Sequence, residues 1–241
     1  MSRDRIFAEV SAEAGSFEFN DDVADVFPDM LRRSIPGYAA TIQAIGALAS
    51  RYVQPGTRCY DLGCSLGAAT LAMRQNIAVP GCQIVGVDLA PAMITRCREI
   101  IAADDSDVDV SIVEDDVRQI AIEQASMVVM NYTLQFLSPE ERDAMIGNIF
   151  DGLTDGGIFV LSEKVVDEDQ EVEALLVQMH HEFKRQNAYS ALEISRKRTA
   201  LEDVLIPESI AVHRARLESA GFRHIGVWLR QFNFVSIIAT K

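Results

Sequence analysis

The stretch Asp61-Leu62-Gly63-Cys64-Ser65-Leu66-Gly67 concentrates residue types that let a backbone turn sharply and approach a bound molecule closely. Gly63 and Gly67 carry no Cβ to hold a ligand off. Asp88 follows 21 residues after Gly67. A carboxylate at that spacing, closing the next strand, can accept both hydroxyls of a ribose. The same residues also spell Gly-x-Ser-x-Gly, a nucleophile elbow with Ser65 as the attacking group. Three points weigh against the elbow. The motif follows the first recognisable strand, so too few strands precede it. No His-Gly element stands upstream to form an oxyanion hole. Asp61 has no role in an elbow, whereas a nucleotide-type loop uses an acid there.

Other groups admit two readings each. In Glu114-Asp115-Asp116-Val117 a carboxylate and a backbone N–H could read the edge of an adenine, or the loop could be plain solvated acid. Asn131 closes an otherwise apolar run; it is either a capping residue or a polar group at the edge where open α/β sheets bind ligands. Residues 184–198 hold Lys184, Arg185, Arg196, Lys197 and Arg198 against the single acid Glu193. That cluster is a local anion site in an acidic chain or a solvated helix face. Met179-His180-His181-Glu182 invites a metal. Adjacent residues on a helix point about 100° apart, however, so a core or dimer-contact role is expected and no metal site is. Cys59, Cys64, Cys82 and Cys97 form no CxxC pair and suit neither zinc nor a disulfide framework. Four scattered thiols point to a reducing, cytoplasmic setting.

These groups need elements to hold them. Apolar residues recur at helical steps from Tyr38 to Val53, with Gln54-Pro55-Gly56 as the stop. A strand–helix alternation then begins. Strands are expected at Arg58–Leu62, Gln83–Asp88, Val108–Val113, Ser126–Asn131 and Gly157–Ser162. Helices are expected near Ala68–Gln75, at Ala92–Ala102 after Pro91, and at Pro139–Leu153, closed by the turn Thr154-Asp155-Gly156-Gly157. Strands separated by helices imply βαβ units and a parallel sheet. From Val165 to Ile206 the pattern turns helical and charged, which reads as an insertion. A helix resumes near Pro207–Gly221, and His224–Leu229 with Phe232–Ala239 form an antiparallel closing pair. Residues 1–35 are acid-rich and weakly periodic, and read as an arm or lid. The whole, 1–241, is one domain: a core of 36–164 and 207–241 with the insertion 165–206.

The 241 residues suffice for a buried core without staples. Acidic residues outnumber basic ones, 36 to 22, for a net charge of -14. Such a balance repels nucleic-acid phosphates and anionic membranes. No apolar run approaches the ~18 residues of a membrane helix, and no signal peptide is visible at Met1-Ser2-Arg3-Asp4-Arg5.

Taken in series, Asp61–Gly67, Gly86-Val87-Asp88, Asp115-Asp116 and Asn131 resemble a class I S-adenosylmethionine-binding fold. That fold is Rossmann-like α/β, with a mostly parallel seven-stranded sheet whose last strand is antiparallel. Two departures stand out: Ser65 replaces the loop's usual middle glycine, and Asp115 stands where glycine is frequent. Further segments narrow the likeness. They are Val26-Phe27-Pro28-Asp29-Met30, Arg33-Ser34-Ile35-Pro36-Gly37-Tyr38, Leu134-Gln135-Phe136-Leu137, Leu161-Ser162-Glu163-Lys164, Met179–Arg185, Leu192-Glu193-Ile194-Ser195 and Lys197-Arg198. With the loop they closely resemble the carboxy-S-adenosyl-L-methionine synthases over nearly the whole chain.

The resemblance implies an enzyme that takes S-adenosyl-L-methionine and prephenate to carboxy-S-adenosyl-L-methionine and phenylpyruvate. The product then serves a second enzyme, which carboxymethylates wobble uridine in tRNA. It implies a homodimer without direct tRNA or membrane binding. It assigns Tyr38, Gly63, Cys64, Ser65, Asp88, Leu89, Asp116, Val117, Asn131 and Arg198 to the nucleoside site. Arg198 is also the catalytic residue, its guanidinium meeting the new carboxylate. The alternative is a conventional S-adenosylmethionine-dependent methyltransferase acting on a small molecule.

Overall fold

The computed structural model describes residues 3–6, 18–201 and 204–241. Five strands, β1 (Arg58–Leu62), β2 (Gln83–Asp88), β3 (Asp109–Glu114), β4 (Ala125–Asn131) and β5 (Leu153–Val166), run parallel. Two-residue β6 (Glu208–Ser209) pairs with β5 off the main path. The closing hairpin of β7 (His224–Gln231) and β8 (Phe234–Thr240) adds β8 antiparallel to β5. The sheet order is β3-β2-β1-β4-β5-β8-β7. This is the expected mostly parallel sheet with its antiparallel end.

The helices follow from local chemistry. α2 (Tyr38–Tyr52) starts after Gly37, which has a positive φ, and stops ahead of Pro55. α3 (Ala68–Arg74) starts from Gly67, and α4 (Pro91–Ala102) has its proline where no amide is needed. α5 (Pro139–Gly152) opens on a reciprocal Ser138–Glu141 capping box. α8 (Ile210–Ala220) is capped by the Ser209 side chain and ended by Gly221. α6 (Gln170–Gln186) and α7 (Ala191–Leu201) occupy the expected insertion.

Strand alternation sorts the core into two faces. Val128 and Met130 of β4 pack with Met145, Ile146, Ile149 and Leu217 of α5 and α8. Met127 and Val129 pack with Ile45, Ala49, Ala69 and Met73 of α2 and α3. The result is a three-layer sandwich. β1 sits between β2 and β4, so the chain leaves it in one direction and returns on the other. The crevice outside the carboxyl ends of β1 and β4 is the switch point at which such sheets hold ligands.

Two local expectations change. Thr154-Asp155-Gly156-Gly157 is no turn: β5 already pairs at Leu153 with Ala125, and the register then slips to Met127–Ile158. The extra residues form a bulge within one long strand. In the segment expected as an arm, α1 (Asp21–Ser34) is a helix capped by Asn20. Its buried Val23, Val26, Phe27 and Met30 recur at helical steps, and the polar Asp29 and Arg33 are buried beside them. Asp29 and Arg33 pair at 3.2 Å, and Arg33 also donates to the Asp4 carbonyl at 3.0 Å. The rest of that expected arm, residues 1–2 and 7–17, lies outside the described residues.

Candidate active site

The loop after β1 is built before any ligand arrives. Gly63 and Cys64 both donate to the Val87 carbonyl, at 2.8 and 2.9 Å, which folds the loop against β2. Gly63 has φ 82°, and a Cβ there would sit 2.2 Å from Thr133 Oγ1. Only glycine meets both conditions. Asp61 points back into the helix: its Oδ2 accepts from the Thr70 amide at 2.8 Å and hydroxyl at 2.6 Å. Burial pushes this carboxyl up to about 6. Asp61 therefore braces the loop and helix α3.

Asp88 closes β2 with both oxygens engaged. Oδ2 accepts from Ser65 N–H at 2.8 Å and Oδ1 from Ala90 N–H at 3.0 Å. Each oxygen keeps a further lone pair for a ribose hydroxyl. Burial raises the Asp88 carboxyl, and the amides oppose it. Ser65 sits in the left-handed region at φ 51°, its hydroxyl lies 3.5 Å from Met93 Sδ, and no hydrogen bond between it and a histidine is found among the described residues. That removes the elbow reading, which needs a base on the serine. The Cys64 thiol is driven far up by its contact with Cys97 and by burial, so it is no nucleophile.

Asp116 receives both of its oxygens' bonds from Arg118 Nε at 2.9 Å, and Arg118 holds its carboxyl below the usual range. No partner for the neighbouring Val117 N–H is found among the described residues. Asn131 Oδ1 is buried and finds no hydrogen-bond partner among the described residues. Leu89 is 66% exposed although it is apolar. An unspent amide, an orphaned carbonyl oxygen and a bare leucine around one opening are what an adenosyl ligand would satisfy. The residues present fit the nucleoside.

All ten candidates, Tyr38, Gly63, Cys64, Ser65, Asp88, Leu89, Asp116, Val117, Asn131 and Arg198, meet in the wall of one cavity of about 1030 Å³. That is the upper end of the ~300–1,000 Å³ usual for a single ligand. Tyr38 faces Tyr132, ring centres 6.4 Å apart, and its hydroxyl is pushed up by burial and by Asp61. Arg198 reaches the cavity from α7, far in sequence from the loop.

Charge divides within this cavity. Asp61, Asp88 and Asp116 lie by the carboxyl ends of β1, β2 and β3 and Glu141 on α5, with Arg118 paired to the last two, while Lys164, Lys184, Lys197 and Arg198 lie on β5, α6 and α7, with Glu173 of α6 as the acid among them. Burial, with Lys197 and Lys164 nearby, pushes the Lys184 ammonium down to about 7. Burial brings Lys197 to about 8. His180, expected as a core or contact residue, is buried with Nε2 2.8 Å from the Ser34 carbonyl, and burial takes it to about 3. Its ring and that of His181 are 6.4 Å apart, and both line the cavity. Among the described residues, no group of three His, Cys, Asp or Glu could hold a metal ion, and no helix is long and apolar enough to cross a membrane. The sequence placed Lys184 and Lys197 in a basic run, and these two and Lys164 in segments that carry the family resemblance, without a role at the site; it gave no sign of Tyr132 or Asn233.

Residues 60–157 match the family model described as a methyltransferase domain. The chain is 54% identical over 239 residues to a protein of Escherichia coli strain K12 named carboxy-S-adenosyl-L-methionine synthase, covering 99% of this chain and 97% of that one. A protein of the same name from Escherichia coli O1:K1 matches to the same extent. Among solved structures, a putative S-adenosyl-L-methionine-dependent methyltransferase from Methanococcus maripaludis superposes with a TM-score of 0.59 at 18% identity, covering 94% of this chain and 95% of that one. An O-methyltransferase family protein from Burkholderia thailandensis gives 0.67 at 16% identity over 92% of this chain and 60% of its own. These two establish the fold.

Proposed function

The chain belongs to the family of carboxy-S-adenosyl-L-methionine synthases, and on that premise we propose that its cavity joins S-adenosyl-L-methionine to a carboxyl group taken from prephenate. The observation that carries this reading is the division of charge in one cavity. A sulfonium cation with a ribose suits the acidic sheet edge. A dianion suits the lysines and Arg198 on the far wall.

The overall reaction balances without an outside oxidant. Prephenate loses carbon dioxide and hydroxide as its ring becomes aromatic, leaving phenylpyruvate. The hydroxide takes a proton from the methyl group beside the sulfonium and becomes water. The methyl carbon then bonds to the carbon dioxide. The chain's residues contribute position, exclusion of water and charge. Asp88 and the Gly63–Ser65 loop fix the nucleoside. Asn131 and the Val117 amide orient it. Arg198 meets the forming carboxylate with two parallel donors.

The test is mass spectrometry of the nucleoside after incubating the purified protein with S-adenosyl-L-methionine and prephenate. The expected product is heavier than the starting nucleoside by one carbon dioxide, formed one for one with phenylpyruvate. A conventional methyltransferase would instead leave S-adenosylhomocysteine and a methylated acceptor.

The same reading includes a reducing, cytoplasmic setting, which suits four buried free thiols. It includes a homodimer, for which the exposed Val172, Leu175 and Met179 of α6 and Leu192 of α7 offer an apolar surface. It also leaves tRNA to a second enzyme, in keeping with the net charge of -14. A salt-sensitive gel shift with tRNA at physiological ionic strength would contradict that division of labour.

A further inference from the structure

Lys184 is held in a way that folding alone does not reward. It is only 9% exposed, its side chain forms part of the cavity wall, and no ion pair or side-chain hydrogen bond of its ammonium is found among the described residues. Its nearest charges have its own sign: Lys197 and Lys164 both depress its protonation. Lys197 is better provided for, with Nζ 3.0 Å from Ser34 Oγ and Asp4 in its field. A buried cation without an anion is a cost unless something outside the chain supplies the anion.

The surroundings say what that something is. Glu173, Val177, His180, His181 and Lys184 recur at helical spacing, so one face of α6 lines the cavity. The turn between β7 and β8 contributes Asn233 to the same wall. It is 1% exposed, and among the described residues neither its amide oxygen nor its amide nitrogen has a hydrogen-bond partner. Val177, Phe234 and Leu205 give the wall its apolar part. An unpaired ammonium and an unspent amide beside apolar surface match a carboxylate carried on a ring.

We propose that Lys184, flanked by Lys164 and Lys197 and assisted by Asn233, anchors a carboxylate of the second substrate, a ring-bearing dicarboxylate, while Arg198 serves the carboxyl group being transferred. The inference rests on the reading given under Proposed function. It divides the cationic wall into two tasks, one that binds the donor and one that meets the product.

The experiment uses the full-length protein, prephenate as the varied substrate, and calorimetry for S-adenosyl-L-methionine. Lys184→Met keeps an unbranched side chain one atom shorter and removes the charge. The KM for prephenate should rise about 10- to 100-fold, the loss expected for one charge-assisted contact. Affinity for S-adenosyl-L-methionine should stay within about twofold. The Tm should hold or increase, because an unpaired buried charge has gone. A residue kept for packing would show the reverse, a lower Tm with both ligands weakened alike. Asn233→Ala should raise the same KM, and Lys184→Gln serves if the methionine variant fails to fold. An active wild type whose Lys184 variants keep the prephenate KM overturns the inference alone. A wild type that binds the nucleoside yet neither binds nor consumes prephenate overturns the functional reading and the inference with it.

Discussion

Asp88 Oδ2 accepts the amide hydrogen of Ser65 at 2.8 Å, tying the end of β2 to the crown of the loop after β1. Ser65 holds a positive φ of 51° at the place where this loop commonly has glycine. The carboxylate offsets a conformation that costs a non-glycine residue about 1 kcal/mol. One side chain thus shapes the loop, and in the reading proposed above it also holds the ribose.

Asp88→Ala should therefore weaken S-adenosyl-L-methionine binding beyond the loss of a ribose acceptor. We expect roughly 2–3 kcal/mol, or about 30- to 150-fold in Kd, read by calorimetry. Asp88→Asn keeps the shape and one acceptor oxygen, so it should recover part of the loss. Equal affinities for wild type and Asp88→Ala would remove Asp88 from the nucleoside site.

The contact between Gly63 and Thr133 gives a separable test. A methyl group on Gly63 would lie 2.2 Å from Thr133 Oγ1, and the backbone at φ 82° disfavours any side chain. Gly63→Ala should cost about 2–4 kcal/mol of stability from clash and strain together. Thr133→Ala in the same chain removes Oγ1 and Cγ2 but leaves a Cβ 2.9 Å away, so it should return only part of the steric cost and leave at least about 1 kcal/mol of strain. Thermal melts of the two variants give both numbers. If the double variant is no more stable than Gly63→Ala, the clash is not the cause.

What the sequence made legible in this site is what lies along one strand and its following loop. Asp88 and Asn131 end strands of a parallel sheet, Gly63 and Asp116 follow strands by one and two residues, and a parallel sheet brings those ends to one edge. Lys164, Lys184 and Asn233 come from β5, α6 and the β7–β8 turn, so only tertiary packing makes them neighbours. Even Lys184, visible in a basic run, reads there as surface; its burial depends on α1 and α7 closing over it. The helical steps of α1 at Val23, Val26, Phe27 and Met30 are there to be read, but its acid-rich composition, its internal Pro28 and the buried Asp29–Arg33 pair count against a helix. The bulge at residues 154–157 looked like a turn because turn and bulge use the same glycines.

Arg198 should separate two ligands that differ by one carboxyl group. It shares the cavity with the nucleoside loop but stands on α7, close enough to Lys164 to depress that lysine's protonation. Arg198→Ala should weaken carboxy-S-adenosyl-L-methionine by about 10- to 100-fold and S-adenosyl-L-methionine much less. Arg198→Lys should recover only part, since an ammonium cannot meet both oxygens in one plane. Calorimetry with both ligands decides it: equal weakening assigns Arg198 to general architecture.

The last prediction concerns stability and pH. Glu163 on β5 is buried, and among the described residues neither carboxyl oxygen has a hydrogen bond of good geometry. Burial pushes its pKa well above 4.5, and the charge of Arg142 opposes this only in part. The folded chain therefore keeps a proton that the unfolded chain gives up. Stability from this group is fully present below the unfolded value near 4.5 and is lost as pH rises through the folded value. Wild-type Tm should carry a downward component on going from pH 4 towards neutrality. Glu163→Gln resembles the protonated acid in shape and cannot ionise, so that component should vanish. The variant should match wild type near pH 4 and exceed it by about 1–3 kcal/mol at pH 7–8. Melts of both proteins across that range, compared as a difference, cancel every other titrating group. A difference that stays flat with pH would mean that the Glu163 carboxyl does not titrate between the two states.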